Sequence, residues 1–370
     1  MDIAPRHLNQ FSPAMRKQIG SAITHALAKT HRQDTRILNI LPMSGYYTSI
    51  VFGVELQYAN SSGGNDWLYF KLANTNIDNQ KALIEQEFHN SQQAAEYFKQ
   101  KPGLHAIEPL AWLDEDQGFV MNPMPGDRLD KFLIRRMRPF IPSHCSQDTL
   151  RKGFRLAGSW LHEYQLVTEV TEKSTPEHNQ GLVDISDYHR RIENLLLSFH
   201  NEAPGYLQPM EVEQIYQQSL EDLQRFTDKE LRLVTKHNDF APWNMNLIPG
   251  TGRHQAPELM VFDFADVKAD CFLYDIYHFI RSVHLYKFKL LTNSKILPFL
   301  VEAFIEGFGL QPEELSPHTA RFFNLYFNLS STFNLLRSQL KQTGLKGYSK
   351  KLAFHRYLTG YKAERHNILR

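Results

Sequence analysis

The sequence has few of the features that define several large classes of protein. Its 370 residues include only two cysteines, Cys145 and Cys271, which are too few and too far apart for a disulfide framework or a cysteine-based zinc site. Basic and acidic residues almost balance, 41 against 40, so no strong net charge attracts nucleic acid or an anionic membrane. The apolar runs are shorter than the ~20 residues that a membrane-spanning helix needs. We therefore expect a cytoplasmic protein with reduced thiols and no membrane span.

The composition is that of an ordinary globular chain. Hydrophobic residues make up 42% of the sequence and charged residues 22%, which excludes a disordered, collagen-like or repeat-dominated protein. Because 370 residues are more than one compact core usually holds, we expect two lobes.

Periodicity and turn residues predict a small sheet lobe in the first third of the chain. Ser12 and Pro13 are typical of a helix start, and apolar residues recur every four positions behind them. Three stretches rich in β-branched and aromatic residues, separated by Gly and Ser, predict an antiparallel meander at 36–42, 49–57 and 67–73. A helix at 78–100 and two short strands at 107–113 and 118–121 complete this lobe.

The rest of the chain is predicted to be mainly helical. Helical periodicity covers 150–166, 185–199, 211–226, 272–282, 296–308 and 321–341, with one β-rich insert at 231–263. The sequence therefore predicts an α+β fold with three parts: a helical extension at 1–30, a small antiparallel-sheet lobe with one main helix at 31–122, and a larger helical lobe at 123–370.

The β-rich insert contains the residues with the clearest chemistry. Asp239 and Asn244 are five positions apart across a Pro-Trp turn, and Asp263 follows an apolar run that predicts a buried strand. Phosphoryl transfer needs such a set, because one carboxylate accepts the proton of the attacking hydroxyl while an amide oxygen and a second carboxylate hold Mg²⁺. The same residue types are also common in ordinary turns, so each motif alone leaves both interpretations open.

The order of the motifs resembles that of a known family. The segment His237-Asn-Asp239-Phe-Ala-Pro-Trp-Asn244 resembles the His-Gly-Asp-x-x-x-x-Asn loop of the aminoglycoside phosphotransferase and choline kinase families. The stretch from Asp263 to Asp275 is similar to their metal-binding segment, and 120–126 is similar to their inter-lobe linker with its trailing Pro-Gly. One departure is Asn238, which replaces the family glycine; asparagine tolerates a positive φ better than most residues.

This resemblance implies a protein-kinase-like two-lobe fold, with ATP and Mg²⁺ as cofactors. Asp239 would be the catalytic base, and Asn244 and Asp263 would hold the metal ion. His237 would shape the loop, and His162 would be a buried, hydrogen-bonding residue that braces it. Asp275 would anchor the loop, although a carboxylate at a helix start is the simpler alternative.

A kinase-like fold also requires a lysine for the nucleotide phosphates and a glutamate to position it. Lys71 lies in a strand that is otherwise apolar on both faces, where a cation needs an anionic partner. The alternative is a lysine that protects an edge strand. On the helix predicted at 78–100, Glu87 lies about 45° from the centre of the apolar stripe and Glu85 more than twice as far, so Glu87 is the predicted partner.

Five further residues are predicted to contact the nucleotide. Ser44, Gly45 and Thr48 belong to a short turn that resembles the phosphate-binding turn of these kinases, although a plain hairpin turn is an equally good interpretation. Backbone groups at Met121 and Asn122 would bind the adenine edge, as the resemblance implies.

The acceptor is predicted to be a small molecule with a hydroxyl group. The chain is nearly neutral, which favours a sugar, a glycan intermediate or an amino alcohol over a polycationic aminoglycoside. Asp266 and Asp270 would add charge near the metal or be solvated. A catalytically inactive scaffold and, less favoured, a protein kinase are the alternatives, and the sequence does not indicate an oligomeric state.

Overall fold

The structure is a computed structural model that describes residues 11–32, 34–45, 49–58, 66–74, 80–138, 146–168, 182–250, 256–289, 292–311, 316–340 and 346–368. The chain divides into two compact units. The first comprises Met1–Asp127 and Met245–Val267, and the second comprises Arg128–Asn244 and Lys268–Arg370. The functional domains predicted at 1–30, 31–122 and 123–370 stay a prediction.

The first unit is built on a five-stranded antiparallel sheet. Its strands, in the order β1-β2-β3-β6-β5, are β1 (Thr35–Gly45), β2 (Ser49–Tyr58), β3 (Asp66–Ala73), β6 (Gly118–Met121) and β5 (Pro109–Leu113). The first three strands pair in succession, which confirms the predicted meander. Two helices belong to the same unit, α1 (Pro13–Lys29) and α2 (Gln80–Phe98). As predicted, the side chain of Ser12 caps α1 by accepting a hydrogen bond from the Met15 amide.

Helix α1 covers the sheet through its apolar stripe. Ile19, Ile23 and Leu27 are buried in one core with the inward-facing residues of the strands. Within that core the rings of Phe52 and Phe70 stack at 4.7 Å between centroids. Burial of this stripe is what stabilises a helix at this position, since apolar contact contributes more than helix propensity alone.

A second, smaller sheet carries the segment that ends at Asp263. Its strand order is β4 (Leu104–Ala106), β10 (Glu258–Val261), β9 (Met245–Ile248) and β7 (Asp127–Arg128). Strand β10 pairs parallel to β4 and antiparallel to β9. Gly126 has a φ of +78°, and a Cβ at that position would come within 2.3 Å of the Leu247 carbonyl oxygen. A glycine is therefore required at the end of the Pro-rich segment that precedes β7.

The second unit is mainly helical. Its helices are α3 (Leu129–Met137), α4 (Gln147–Val167), α5 (Ile185–Glu202), α6 (Pro209–Leu223), α7 (Leu273–His284), α8 (Leu297–Phe308), α9 (Pro317–Leu340) and α10 (Lys346–Ile368). The same unit contains a two-stranded antiparallel sheet of β8 (Leu233–Lys236) and β11 (Lys268–Cys271), which are not consecutive in the chain. Helices α4 and α8 approach closely at Gly158, where a Cβ would lie 2.0 Å from the Phe304 carbonyl oxygen.

The α+β class with an antiparallel sheet followed by helices is confirmed. Helix α3 was not predicted from the sequence. The strand predicted at 107–113 is observed as β5, which begins two residues later, and β4 lies before the predicted range. In the described ranges, none of the helices combines the length and the apolar character needed to span a bilayer.

Candidate active site

In the first unit, Lys71 lies between two carboxylates. Its Nζ atom is 2.7 Å from Glu87 Oε1 and 2.8 Å from Asp263 Oδ1. Strand β3 pairs with β2 on one side and β6 on the other, so Lys71 does not lie on an edge strand. The structure therefore excludes the edge-strand alternative and gives this partly buried cation the anionic partners that burial requires.

The helical phase of α2 decides which glutamate faces Lys71. Glu87 is 3% exposed and lies on the same side of the helix as the buried Ile84 and Ser91, whereas Glu85 is exposed. The predicted pairing of Lys71 with Glu87 is confirmed. Burial raises the pKa of Glu87 to about 7, although Lys71 opposes that shift. The pKa of Lys71 is raised, because the two carboxylates outweigh the effect of burial.

Asp263 lies two residues after β10 and has a φ of +71°. A positive φ is costly for most side chains but tolerable for aspartate, which can form local hydrogen bonds. The next residue is held from α2, because Asn90 Nδ2 donates a hydrogen bond of 3.0 Å to the Phe264 carbonyl oxygen. Helix α2 thus fixes both Lys71, through Glu87, and the backbone beside Asp263.

In the second unit, Asp239 and Asn244 meet across a single turn of 3₁₀ helix at Pro242–Asn244. Asn244 Nδ2 donates to Asp239 Oδ2 at 2.7 Å and to the Asp239 carbonyl oxygen at 3.0 Å. Trp243 Nε1 is 3.3 Å from the same Oδ2 atom. The spacing of five therefore brings the two side chains together, as predicted.

The loop before Asp239 is anchored by Asp275. The buried Asp275 carboxylate accepts hydrogen bonds from the backbone amides of His237, at 2.6 Å, and Asn238, at 3.0 Å. This confirms the predicted anchor. Burial raises the pKa of Asp275 to about 7, and the two amide donors oppose the shift. Asn238 has a φ of +71°, so the residue that replaces the family glycine adopts the left-handed conformation that its chemistry tolerates.

His278 was not predicted as part of the site. Its Nδ1 atom is 3.2 Å from the Phe240 carbonyl oxygen; since a carbonyl only accepts, Nδ1 is the donor. Its Nε2 atom lies 4.0 Å from Asp239 Oδ1. Burial lowers the pKa of His278 although Asp239 opposes the shift. The signal that could have found it is helical spacing, because His278 lies three residues after Asp275 and so on the same side of α7.

The prediction for His162 is wrong. His162 is only partly buried and packs edge-on against Phe308, with ring centroids 5.3 Å apart; in the described ranges it forms no hydrogen bond. The contacts expected of it are made by Trp160 two residues earlier, whose ring stacks on Phe240 at 5.6 Å. Trp160 is also edge-on to His237.

The interpretation of Asp270 as a solvated carboxylate is also wrong, while its position near the metal ion stays a prediction. Asp270 is 1% exposed and bonded to Lys236, Arg191 and Tyr188 within the second unit. No sequence pattern indicates this cluster, because its members are separated by 34, 79 and 82 positions from Asp270.

The five other predicted nucleotide contacts stay predictions. Ser44 and Gly45 end β1, paired with Val51 and Ile50 of β2, and Thr48 lies outside the described residues. Met121 ends β6 and is buried, and Asn122 follows it.

The donor chemistry of two residues fits a magnesium ion. The Asn244 amide nitrogen is held by Asp239, so its oxygen stays available, and Asp263 supplies a carboxylate. Mg²⁺ is commonly bound by one or two such oxygens together with water and nucleotide phosphates. Among the residues the structure describes, no cluster of three or more His, Cys, Asp or Glu could hold a metal by itself. Asn244 and Asp263 belong to different units, and their joint role stays a prediction.

Solved structures match the chain over nearly its whole length. An amicoumacin kinase (hAmiN) in complex with AMP-PNP, Ca²⁺ and Ami is 14% identical, with 96% of each chain covered and a TM-score of 0.51. Aminoglycoside 2'-phosphotransferase-IIIa in complex with GDP is 10% identical, with 94% of this chain and 98% of that chain covered and a TM-score of 0.56. Choline kinase LicA from Streptococcus pneumoniae is 10% identical, with 93% and 99% covered and a TM-score of 0.49.

No protein-family model and no curated protein sequence matches the chain. The structural matches show the fold: a protein-kinase-like α+β fold shared with small-molecule kinases. The family resemblance inferred from the sequence motifs is therefore confirmed for the fold.

Proposed function

We propose that this chain, which has the fold of the small-molecule kinases, is an ATP- and Mg²⁺-dependent phosphotransferase that phosphorylates a hydroxyl group of a small molecule. The observation that carries the proposal is the position of Lys71 between Glu87 and Asp263. A partly buried lysine with two carboxylate partners is costly to maintain for stability alone, and it is what a phosphate-binding lysine of the kinase type requires.

Asp239 is the proposed base, and its hydrogen bonds indicate which oxygen takes the proton. Oδ2 already accepts from Asn244 and Trp243. Oδ1 takes no part in those two hydrogen bonds, and the Asp239 side chain is 46% exposed. The acceptor hydroxyl therefore donates its proton to Oδ1 as its oxygen attacks the γ-phosphorus, and the bond from that phosphorus to the bridging oxygen breaks to release ADP. Asp275 holds the backbone of the loop, so the orientation of Asp239 is fixed before the substrate binds.

Lys71 is proposed to bind the α- and β-phosphates, with Glu87 setting the position of its ammonium group. Ser44, Gly45 and Thr48 would contribute phosphate contacts, and Met121 and Asn122 would bind the adenine edge. Asn244 and Asp263 would hold Mg²⁺, which supplies charge neutralisation at the phosphates when it is bound.

The acceptor is proposed to be a sugar, a glycan intermediate or an amino alcohol, and the protein to be cytoplasmic. The nearly neutral chain supports this choice over an aminoglycoside, because a polycationic acceptor is best recognised by a strongly acidic surface. The amicoumacin and aminoglycoside kinases that share the fold are too distant in sequence to transfer their acceptors.

The test is a screen for ADP formation from ATP and Mg²⁺ over sugars, amino alcohols and nucleosides, with the wild-type protein and Asp239→Asn. We expect turnover with at least one acceptor, a loss of about 10²-fold or more in Asp239→Asn, and unchanged nucleotide affinity in that variant. Nucleotide binding without turnover by the wild type would instead support the catalytically inactive scaffold. If an aminoglycoside gave the highest kcat/KM of all acceptors tested, that result would contradict the proposed acceptor class.

A further inference from the structure

Asp270 is a fully occupied carboxylate in the interior of the second unit. Its Oδ2 atom accepts hydrogen bonds from Lys236 at 2.6 Å and Arg191 at 2.7 Å. Its Oδ1 atom accepts from the Tyr188 hydroxyl at 2.6 Å and from the Cys271 amide at 2.8 Å. Asp270 thus has no capacity left for a ligand, and any ligand recognition by this cluster has to come from its cations.

Two cations of the cluster contact the same carboxylate. Lys236 and Arg191 share Asp270, and the side chain of Lys236 is only 7% exposed. The pKa of Lys236 is lowered, by burial first and by Arg191 in addition, although Asp270 and Asp275 oppose the shift. The two carboxylates therefore do not offset the cost of burying this ammonium group, and a further anion would be stabilised beside the cations.

Arg191 is the member of the cluster that can reach a ligand. Its side chain is 31% exposed, its guanidinium carbon lies 4.7 Å from the centre of the Tyr188 ring, and its Nη1 atom binds Asp270. In the described part of the chain, no second acceptor binds the guanidinium group. Arginine has five N–H donors in a planar fork, so Arg191, held by Asp270 and Tyr188, keeps donors for an oxyanion.

The cluster is connected to the proposed base through an aromatic layer in the same unit. Lys236 Nζ lies 3.5 Å from the centre of the Tyr274 ring. The Tyr274 ring is parallel to that of His278 within 8°, with centroids 6.3 Å apart. His278 in turn lies 4.0 Å from Asp239 Oδ1. The charge of Lys236 also acts on His278, because it contributes to lowering the pKa of that side chain.

From these contacts we propose that Arg191, held in place by Asp270 and Tyr188, binds an oxyanion group of the acceptor, a carboxylate or a phosphate, while Asp239 takes the proton of its hydroxyl. This inference rests on the proposed function and narrows its acceptor to a sugar acid or a phosphorylated small molecule. An ammonium group at the same position would face two cations and be rejected by repulsion.

The first experiment measures anion binding at Arg191 without any turnover. The rate at which phenylglyoxal modifies Arg191 is followed by peptide mass spectrometry at constant ionic strength, with inorganic phosphate, glucuronate or choline chloride added. Arg190, which pairs with Asp187 on the same helix and is 66% exposed, is the internal control. We expect phosphate or glucuronate to slow modification of Arg191 about tenfold at about ten times its Kd, with no effect at Arg190.

The second experiment compares acceptors that differ in charge. Glucose, glucosamine, glucuronate and glucose 6-phosphate are assayed for ADP formation with wild type, Arg191→Met and Arg190→Met. We expect an anionic acceptor to exceed glucosamine in kcat/KM by about tenfold or more, and Arg191→Met to remove that preference through KM, while Arg190→Met retains it.

The two experiments separate failure of this inference from failure of the proposed function. Protection by phosphate alone or by glucuronate alone would identify which oxyanion is bound. Equal protection by choline chloride, or no protection by either anion, would overturn the inference even if the protein is a kinase. Absence of turnover with protection intact would contradict the proposed function and leave anion binding at Arg191 standing.

Discussion

Asn238 and Asp263 each have a φ of +71°, and each stands at a point where the proposed phosphoryl transfer would depend on the local backbone. Left-handed backbone costs most L-residues about 1–2 kcal/mol, and asparagine and aspartate less, because their short polar side chains form local hydrogen bonds. At position 238 this conformation directs the loop so that two consecutive amides face Asp275. Asparagine in place of glycine is therefore compatible with an intact loop.

A pair of substitutions at position 238 tests this account of the loop. Asn238→Gly should leave the free energy of unfolding within about 0.5 kcal/mol of the wild type, because glycine adopts a positive φ without strain. Asn238→Ala should lower it by about 1 kcal/mol, since alanine has neither the freedom of glycine nor the polar side chain. Urea unfolding measures both. Equal stability of the alanine and glycine variants would show that the conformation at this position carries no cost.

Asp275 should make stability depend on pH near neutrality. Burial raises its pKa to about 7, above the value near 4 of an unfolded aspartate. The folded state therefore holds the proton more tightly, and the contribution of this group to stability is fully present below about pH 4 and is lost as the pH rises through about 7.

Comparison with Asp275→Asn isolates this effect from that of Glu87, which remains in both proteins. The difference in free energy of unfolding, wild type minus variant, should fall by up to about 1.4 kcal/mol per pH unit between about pH 4 and 7. Chemical denaturation at several pH values measures it. A difference that stays constant over that window would mean that Asp275 does not titrate there.

At the scale of elements, α2 contacts two other parts of the first unit. Glu87 bonds Lys71 of β3, and Asn90, three residues later on the same side of the helix, bonds the backbone after Asp263. A single helix face thus sets the positions of a cation and a carboxylate that lie far apart in the sequence.

Two glutamates on α2 form a matched pair for testing that role. Glu87→Gln should weaken binding of AMP-PNP about tenfold, because Lys71 loses one of its two anionic partners. Glu85→Gln should leave the affinity unchanged, since Glu85 is exposed. Calorimetric titration measures both affinities. Similar losses in the two variants would contradict a specific role for the Lys71–Glu87 pair.

The helices and strands whose apolar residues recur at regular intervals were predictable from the sequence, and those without such a pattern were not. Apolar residues every four positions predicted α1, and the angular position of Glu87 on α2 predicted its contact with Lys71. Helix α3 was missed because it is short and follows directly on the Pro-rich segment.

At the scale of the whole molecule, some contacts of the candidate site could be predicted from the sequence and others could not. Asp239 and Asn244 were predictable because their contact is local, set by five residues and one turn. The Asp270 cluster was not, because Arg191, Lys236 and Tyr188 meet only when separate helices and strands pack. Sequence spacing gives no information about contacts between distant segments. A motif within one loop does predict contacts among its own residues.

The proposed function depends most on Asn244 and Asp263, each of which would supply an oxygen to one magnesium ion bound with the nucleotide. AMP-PNP is titrated calorimetrically into wild type, Asn244→Ala, Asp263→Ala and the double variant, with and without Mg²⁺. We predict that Mg²⁺ tightens binding to the wild type, that each single variant loses most of this gain, and that the double variant loses little more, because one ion depends on both residues. Independent, additive losses, or a gain that persists in either single variant, would contradict the account.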